Sequence, residues 1–206
     1  MSPRPAIDHI RKPQILAAAA EVITERGLAA TRIADVAERA GTSPPAVLYW
    51  FGSREELLKA ALIADEERFA TDLGERLADV EGARARLRLL VEETVDDDDL
   101  SLWIELWALS LHDPASAGER RRLDRVWREL IASLITEGVA EGVFSPILDP
   151  PEAAVAVASM LDGLSVQATL GDEAVPADRI TDMALAQVSA IVGAELDTGD
   201  LEEAAA

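Results

Sequence analysis

The stretch Gly41–Phe51, GTSPPAVLYWF, places two consecutive prolines directly before an apolar run that ends in three aromatic residues. Ser43 has the side chain of a helix N-cap. Pro44 and Pro45 would then occupy the first turn, where a backbone N–H has no intrahelical acceptor and a proline loses nothing. The stretch therefore predicts a helix that starts after Ser43 and has a rigid first turn.

At ~100° per residue, this helix would have two unlike sides. One side is apolar and can pack into a core: Val47, Leu48 and Phe51. The other side carries small residues and two aromatic residues with polar tips: Pro45, Ala46, Tyr49 and Trp50. An outward Tyr–Trp pair on a short helix predicts a surface that contacts another molecule. The alternative is partial burial of both rings against the following helix.

Two helices are predicted before this stretch. Apolar residues at helical spacing between residues 10 and 26 end at Gly27, and a shorter apolar repeat runs from Ile33 to Ala40, with Thr31 as its N-cap. A helix, a tight turn and a second helix with a polar and aromatic outer side are the geometry of a DNA-reading helix-turn-helix. An ordinary helical corner without a DNA function is the alternative.

Composition and charge favour a helical protein with an uneven charge distribution. Ala, Leu, Glu and Arg dominate, and strand-type alternation is scarce, which predicts an all-α fold. The net charge is −20, yet residues 1–55 hold seven basic and six acidic residues, a net charge of +1. The near-neutral head can approach phosphate, while the remaining residues, at −21, would be repelled from DNA.

The rest of the chain predicts six more helices, about nine in total. A long helix starts near Ser53, and others follow at about 83–95, 100–112, 116–141, 151–170 and 177–196. We therefore expect a helix-turn-helix domain at residues 1–55 and a helical domain at residues 56–206. The polar start of the chain and the lack of a long apolar stretch predict a cytoplasmic protein without a signal peptide or a membrane partner.

Enzymatic signals are scarce. The sequence has no cysteine, nucleophile elbow, P-loop, HExxH or Gly-rich dinucleotide loop, so it predicts no catalysis, no cofactor and no metal. The acidic run Asp96–Asp99 is interpreted as a solvated helix junction, since successive carboxylates point in different directions. Two alternatives stay open: an acidic helical protein-interaction module without specific DNA binding, and a helical enzyme.

Residues from about 10 to 62 resemble the N-terminal domain of the TetR/AcrR family of bacterial transcriptional regulators. The residues that carry the resemblance are ILAAAAEVITERGLAATRIADVAERAGTSPPAVLYWFGSREELLKAAL. It implies a homodimer on a palindromic operator in double-stranded DNA, acting as a repressor that a small-molecule effector releases. It also implies DNA contacts at nine positions: Thr31, Arg32, Thr42, Ser43, Pro44, Ala46, Tyr49, Trp50 and Arg54. The helix after Ser43 lacks Arg, Asn and Gln, which predicts specificity through DNA shape and apolar contacts.

The stretches LWIELWALSLHDP and DGLSVQATLGD resemble the subgroup that includes the betaine-pathway repressor. Aromatic and polar side chains in otherwise apolar helices predict an effector pocket here: Trp103, Trp107, Trp127, Asp162 and Gln167. Aromatic rings and a carboxylate favour a cationic or amphipathic ligand. A plain core that contains tryptophans is the alternative.

Two late helices combine small and apolar residues, which lets helices approach closely. Two such helices from each protomer would form a four-helix bundle. The predicted dimer contacts are Ala158, Met160, Leu161, Ile180, Met183, Val188 and Ile191. Packing of these helices within one chain is the alternative.

Overall fold

The computed structural model describes residues 5–96 and 100–196, with side chains from residue 11 onward. Within these ranges the chain forms nine α-helices and no strand, which confirms the all-α prediction. The helices are α1 (Pro5–Arg26), α2 (Ile33–Arg39), α3 (Pro44–Phe51), α4 (Arg54–Ala78), α5 (Ala83–Val95), α6 (Leu100–Ser110), α7 (Pro114–Ala140), α8 (Pro150–Thr169) and α9 (Ile180–Val192). The predicted acidic junction falls largely on residues 97–99, which lie outside the described residues.

The chain divides into two compact units. The first contains Met1–Phe69 and Ser101–Arg121, and the second contains Ala70–Leu100 and Arg122–Ala206. The unit that holds α1, α2 and α3 thus also includes most of α4, nearly all of α6 and the start of α7. The domain boundary expected at residue 55 stays a prediction.

In the first unit, α2 packs against both α1 and α3. The core between these helices consists of small and branched side chains: Ile15, Ala19, Val22, Ile23, Val36, Ala37 and Val47. α2 ends in a compact turn in which the Gly41 N–H bonds to Glu38 O and the Thr42 N–H bonds to Ala37 O. Gly41 has a φ of 61°, which a residue with a side chain rarely adopts. Ala40 is the C-cap of α2. Only three residues, Gly41, Thr42 and Ser43, lie between it and the first residue of α3.

Thr31 does not cap α2, so that prediction is wrong. The N-cap is Arg32, which makes no side-chain cap bond. The Thr31 side chain is fully buried, and its hydroxyl donates to Gly27 O at 2.9 Å and to Val22 O at 3.4 Å. The hydroxyl therefore fastens the chain to the end of α1. The DNA contact at Thr31 that the family resemblance implies stays a prediction, and the burial of this hydroxyl leaves only the backbone there to make it.

α7 begins at a cap made by Asp113. The Asp113 carboxylate accepts hydrogen bonds from the backbone N–H, at 2.8 Å, and the hydroxyl of Ser116. These bonds, together with the charge of Lys59 on α4, lower the pKa of Asp113 below its ordinary value. The carboxylate thus stays ionised at the positive end of α7, where a negative charge is favoured.

In the second unit, α8 and α9 pack against each other and against α5. Four of the seven residues predicted to contact a second protomer are at most 5 % exposed in this core: Ala158, Leu161, Ile180 and Val188. The same chain already covers these four side chains, which leaves them little surface for a partner, and the dimer contact at the seven positions stays a prediction. Met160, Met183 and Ile191 are only half-buried and remain available to a partner.

The segment between α7 and α8 folds back over the end of α7. The N–H groups of Val143 and Phe144 both bond to Gly138 O, and the Ser145 N–H bonds to Val192 O at 2.9 Å. These bonds place the buried Phe144 ring against Gly138, where an added Cβ would lie 1.9 Å from the ring's Cδ2 atom. Glycine is therefore the only residue type that this packing accepts at position 138.

None of the helices in the described ranges is long and apolar enough to cross a membrane. The same residues contain no cluster of three or more histidine or acidic side chains arranged to hold a metal ion.

Candidate DNA-binding site

α3 begins as the sequence predicts. Ser43 is the N-cap, with φ −107° and ψ 150°, and its hydroxyl accepts a hydrogen bond from the Ala46 N–H at 3.4 Å. Pro44 and Pro45 occupy the first turn. The cap and the two rings fix where the helix starts, immediately after the turn that ends α2.

The outer side of α3 is more apolar than predicted. Tyr49 is 81 % exposed, and Pro44 and Pro45 are also exposed, whereas Val47 is fully buried. Leu48 is 42 % exposed, so its predicted position in the core is wrong. The buried side of this short helix contains fewer residues than the spacing of ~100° per residue predicts, because Val47 is its buried residue. A stripe at i, i+1, i+4 and i+5 signals the exposed side: Pro44, Pro45, Leu48 and Tyr49.

Trp50 lies partly inside the unit. Its ring is half-buried and meets the Tyr49 ring edge-on, with centroids 5.5 Å apart and planes at 82°. Partial burial, the alternative considered above, therefore applies to Trp50 and not to Tyr49. The contact holds the Tyr49 ring in an outward direction, which suits a side chain that binds a phosphate through its hydroxyl.

The remaining predicted contacts surround α3. Arg32, at the start of α2, and Ser43 are exposed, while Thr42 and Ala46 are half-buried. The structure thus brings the predicted residues, apart from Thr31, to the accessible part of the helix-turn-helix or its edge. Their contact with DNA stays a prediction.

Arg54, the first residue of α4, is bonded within its own unit. Its Nε atom donates to Thr31 O at 2.7 Å, and its Nη2 atom donates to Leu28 O at 2.5 Å and to Ala29 O at 3.1 Å. Its Nη1 atom lies 3.9 Å from a carboxylate oxygen of Glu55. The guanidinium therefore faces the loop between α1 and α2.

Two other arginines of the head are paired with acids. Arg26 contacts Asp35 at 2.9 Å, and Arg39 contacts Glu21 at 2.8 Å and Glu25 at 2.7 Å. The hydrogen bonds to Glu21 and Glu25 raise the pKa of Arg39 above its ordinary value. These pairs leave less positive charge for phosphate than the count of arginines suggests.

Two exposed cations on α1 were missed by the sequence analysis. Arg11 and Lys12 are exposed, and the Lys12 Nζ atom lies 5.8 Å from the centroid of Phe51, the last residue of α3. This contact brings α1 charge to the C-terminal end of α3. A basic pair just before the first apolar repeat was the available signal.

Of the predicted effector residues, Trp103 and Trp107 lie on α6 in the first unit. Both are half-buried, and their rings are 5.9 Å apart at an angle of 60°. The Arg120 guanidinium carbon lies 6.0 Å from the centroid of Trp107. One face of this pair is thus suited to a cation, since an indole ring attracts positive charge.

The other three predicted effector residues belong to the second unit. Trp127 lies on α7, and Asp162 and Gln167 lie on α8. Trp127 and Asp162 are half-buried. Gln167 is exposed, and its Nε2 atom donates to Gly163 O of its own helix at 3.0 Å. A pocket formed by all five residues stays a prediction.

Two families match most of the chain. Residues 15–61 match the family of bacterial regulatory proteins of the TetR type, and residues 83–193 match the C-terminal domain of BetI-type transcriptional repressors. The HTH-type transcriptional regulator BetI of Burkholderia mallei is 32 % identical over 177 residues, which cover 83 % of this chain and 88 % of that protein. BetI of Ectopseudomonas mendocina is 30 % identical over 182 residues, with coverages of 84 % and 88 %.

Solved structures agree in fold. A structure described as a transcriptional regulator from Saccharomonospora viridis in complex with choline has a TM-score of 0.78 at 28 % identity, and the match covers 85 % of this chain and 94 % of that one. A TetR-family regulator from Rhodococcus sp. has a TM-score of 0.74 at 29 % identity, with coverages of 88 % and 98 %. The chain therefore belongs to the TetR family of bacterial transcriptional regulators, with a C-terminal domain of the BetI repressor type.

Proposed function

We propose that this regulator represses transcription as a homodimer on a palindromic operator and that a small organic cation releases it. The observation that carries the DNA-binding part is the exposed stripe on α3, with Tyr49 81 % exposed on a helix whose start is fixed by Ser43 and two prolines. Two such helices would enter successive major grooves, about 34–36 Å apart. A repressor works where the chromosome is, so we propose a cytoplasmic location.

The chemistry of α3 favours apolar base contacts. The rings of Pro44 and Pro45 and the side chain of Leu48 are exposed, and these groups can contact thymine methyls in the major groove. Phosphates would be bound by the Tyr49 hydroxyl and by exposed cations such as Arg32 and Lys12. Phosphate contacts position the dimer, and the apolar stripe together with DNA shape would supply the specificity.

The dimer contact would form on the exposed side of α8. Val155 is 49 % exposed, Ser159 is exposed, and Gly163 follows at the same spacing with open space around its Cα hydrogen. The small residues Ser159 and Gly163, one turn apart, let two helices approach closely, and the Val155 side chain adds an apolar contact. The half-buried Met183 and Ile191 of α9 would complete the four-helix contact.

The proposed effector is a quaternary ammonium compound of the choline class. The Trp103–Trp107 pair already has a guanidinium near one ring, which supports a cationic ligand at this place. A structure similar to this chain is described as a complex with choline, and the Burkholderia mallei and Ectopseudomonas mendocina relatives are BetI regulators. The net charge of −20 also favours a cationic ligand over an anionic one.

Tight, salt-dependent binding to DNA from immediately upstream of the gene is the expected result of fluorescence anisotropy. If Arg11, Lys12 and Arg32 of both protomers contact phosphate, log K should fall with log salt with a slope of roughly −5. Tyr49→Ala should lose affinity by at least roughly tenfold, whereas Tyr49→Phe keeps the ring and loses only the hydroxyl bond, a smaller effect. Stoichiometry should be two protomers per palindrome.

If neither upstream DNA nor sites selected from random sequence bind, the acidic interaction module becomes the better interpretation. A slope near zero with tight binding would contradict the phosphate contacts.

Choline should weaken operator binding in the same assay, by roughly 5- to 150-fold at saturation, the usual range of coupling between two sites. The control ligand is 3,3-dimethylbutan-1-ol, which has the shape of choline without its charge and should have little effect. Equal effects of both compounds would contradict recognition by charge. Release by anions alone would overturn the cationic effector class.

A further inference from the structure

The loop between α1 and α2, residues 27–32, is bonded from two sides by side chains distant in sequence. From one side, Arg54 donates hydrogen bonds to the carbonyl oxygens of Leu28, Ala29 and Thr31. From the other, Glu105 on α6 accepts a hydrogen bond from the Leu28 N–H at 3.1 Å. The loop thus has its carbonyls held by a cation and an amide held by an anion.

The positions of these two side chains suit that task. A guanidinium is planar and has several N–H groups in a fixed fork, so Arg54 donates to three carbonyls from two separate nitrogen atoms, whereas a lysine ammonium presents its three donors from a single nitrogen and does not reproduce the fork. The Leu28 N–H follows the end of α1, where the Gly27 N–H makes the last bond back to the helix, at 2.7 Å from Ile23 O. Glu105 supplies the acceptor that the helix no longer offers. The Glu105 side chain is half-buried, and an amide left without an acceptor in such surroundings costs free energy.

The loop leads directly into the DNA-binding motif. Its last residue, Arg32, is the N-cap of α2, and the Arg32 carbonyl accepts bonds from the Asp35 and Val36 N–H groups. α2 packs in turn against α3. A shift of the loop would therefore move α2 and, through their packing, α3.

We propose that Arg54 and Glu105 are positioning residues, which hold residues 27–32 from opposite sides and so place α2 and α3, and that neither side chain contacts DNA. The proposal rests on the proposed function, because its consequence is operator affinity. For Arg54 it differs from the phosphate contact that the family resemblance implies.

Arg54→Lys separates the two roles, because it keeps the charge and loses the fork. A phosphate contact would survive this change with little loss of affinity. A positioning role predicts roughly a tenfold or greater loss of operator affinity with an unchanged salt slope. Arg32→Ala is the matched control: the Arg32 side chain is exposed at the end of the same loop, and its loss should reduce the slope by about 2 for the dimer. Lysine at position 54 with wild-type affinity would overturn the assignment.

Glu105 is tested without DNA, by NMR-detected hydrogen exchange of the Leu28 amide. Glu105→Ala should speed that exchange by about fivefold or more, since the amide loses its acceptor. Glu105→Gln retains a carbonyl oxygen and should restore most of the protection and most of the operator affinity. Unfolding temperatures are measured alongside, so that a global loss of stability is recognised by faster exchange at core amides such as that of Val22.

Amide exchange and operator affinity test the positioning role and the proposed function separately. Unchanged Leu28 exchange in Glu105→Ala overturns the Glu105 assignment, whatever the protein binds. Wild-type protein that binds no operator refutes the proposed function and leaves the exchange result standing.

Discussion

Leu48→Glu is expected to reduce operator affinity by at least about 100-fold while the protein stays folded. Leu48 is 42 % exposed in the middle of the outer stripe of α3, so the change removes an apolar base contact and places a carboxylate against DNA. Each dimer carries two such changes, and about 1.4 kcal/mol for each gives a factor of 100. Fluorescence anisotropy with the operator measures the affinity, and circular dichroism shows whether the variant is folded.

Two control variants define this result. Leu48→Ala should cause a much smaller loss, because it removes the contact without adding charge. Leu111→Glu introduces the same charge at a leucine that is 79 % exposed in the turn after α6, and it should leave operator binding unchanged. If Leu48→Glu binds the operator like the wild type, α3 is not the DNA-reading helix.

Gly138→Ala is expected to destabilise the protein by about 3 kcal/mol, because overpacking a buried site typically costs 1–3 kcal/mol and sometimes more. The added methyl carbon would lie 1.9 Å from Cδ2 of the Phe144 ring, which is itself buried. The ring cannot move away without disturbing the backbone bonds of Phe144 and Val143 to Gly138 O. For a chain of this size, the loss corresponds to a fall in unfolding temperature of roughly 6–12 °C.

Gly74→Ala on α4 is the matched control. A Cβ there has nothing within 4 Å, so the change should stabilise the helix by about 0.5–1 kcal/mol. All variants are compared at one protein concentration, since dimerisation contributes to stability. Combining Gly138→Ala with Phe144→Leu should cost less than the sum of the single changes. A Gly138→Ala protein as stable as the wild type would mean that Phe144 does not pack on α7.

The helices could be predicted because their ends are encoded locally. Ser43 and Asp149 are helix caps, and each is followed by a proline, which is tolerated in the first turn of a helix. The structure starts α3 and α8 at these prolines. α5 was predicted at residues 83–95 and is found there, because Gly82 bounds it. Local signals of this kind need no knowledge of the partner helices.

Local signals do not encode which partner a side chain meets. Thr31 has the hydroxyl of an N-cap, and only the folded chain shows that Val22 and Gly27 offer it carbonyls. Ala158 and Leu161 carry the pattern of a close helix contact, which is the same whether the facing helix belongs to this chain or to another. Glu105 is 77 residues from Leu28, a pairing that no spacing within one sequence reveals.

Three of the head's arginines, Arg26, Arg39 and Arg54, direct their charge toward groups of the same unit. Such a head has fewer cations left to retain DNA of arbitrary sequence, and the remainder of the chain, with a net charge of −21, is repelled from DNA. A genome offers about 10⁶–10⁹ competing sites, so weak retention shortens each unproductive stop during the search for the operator. A cell would then need only a small number of copies to keep one promoter silent.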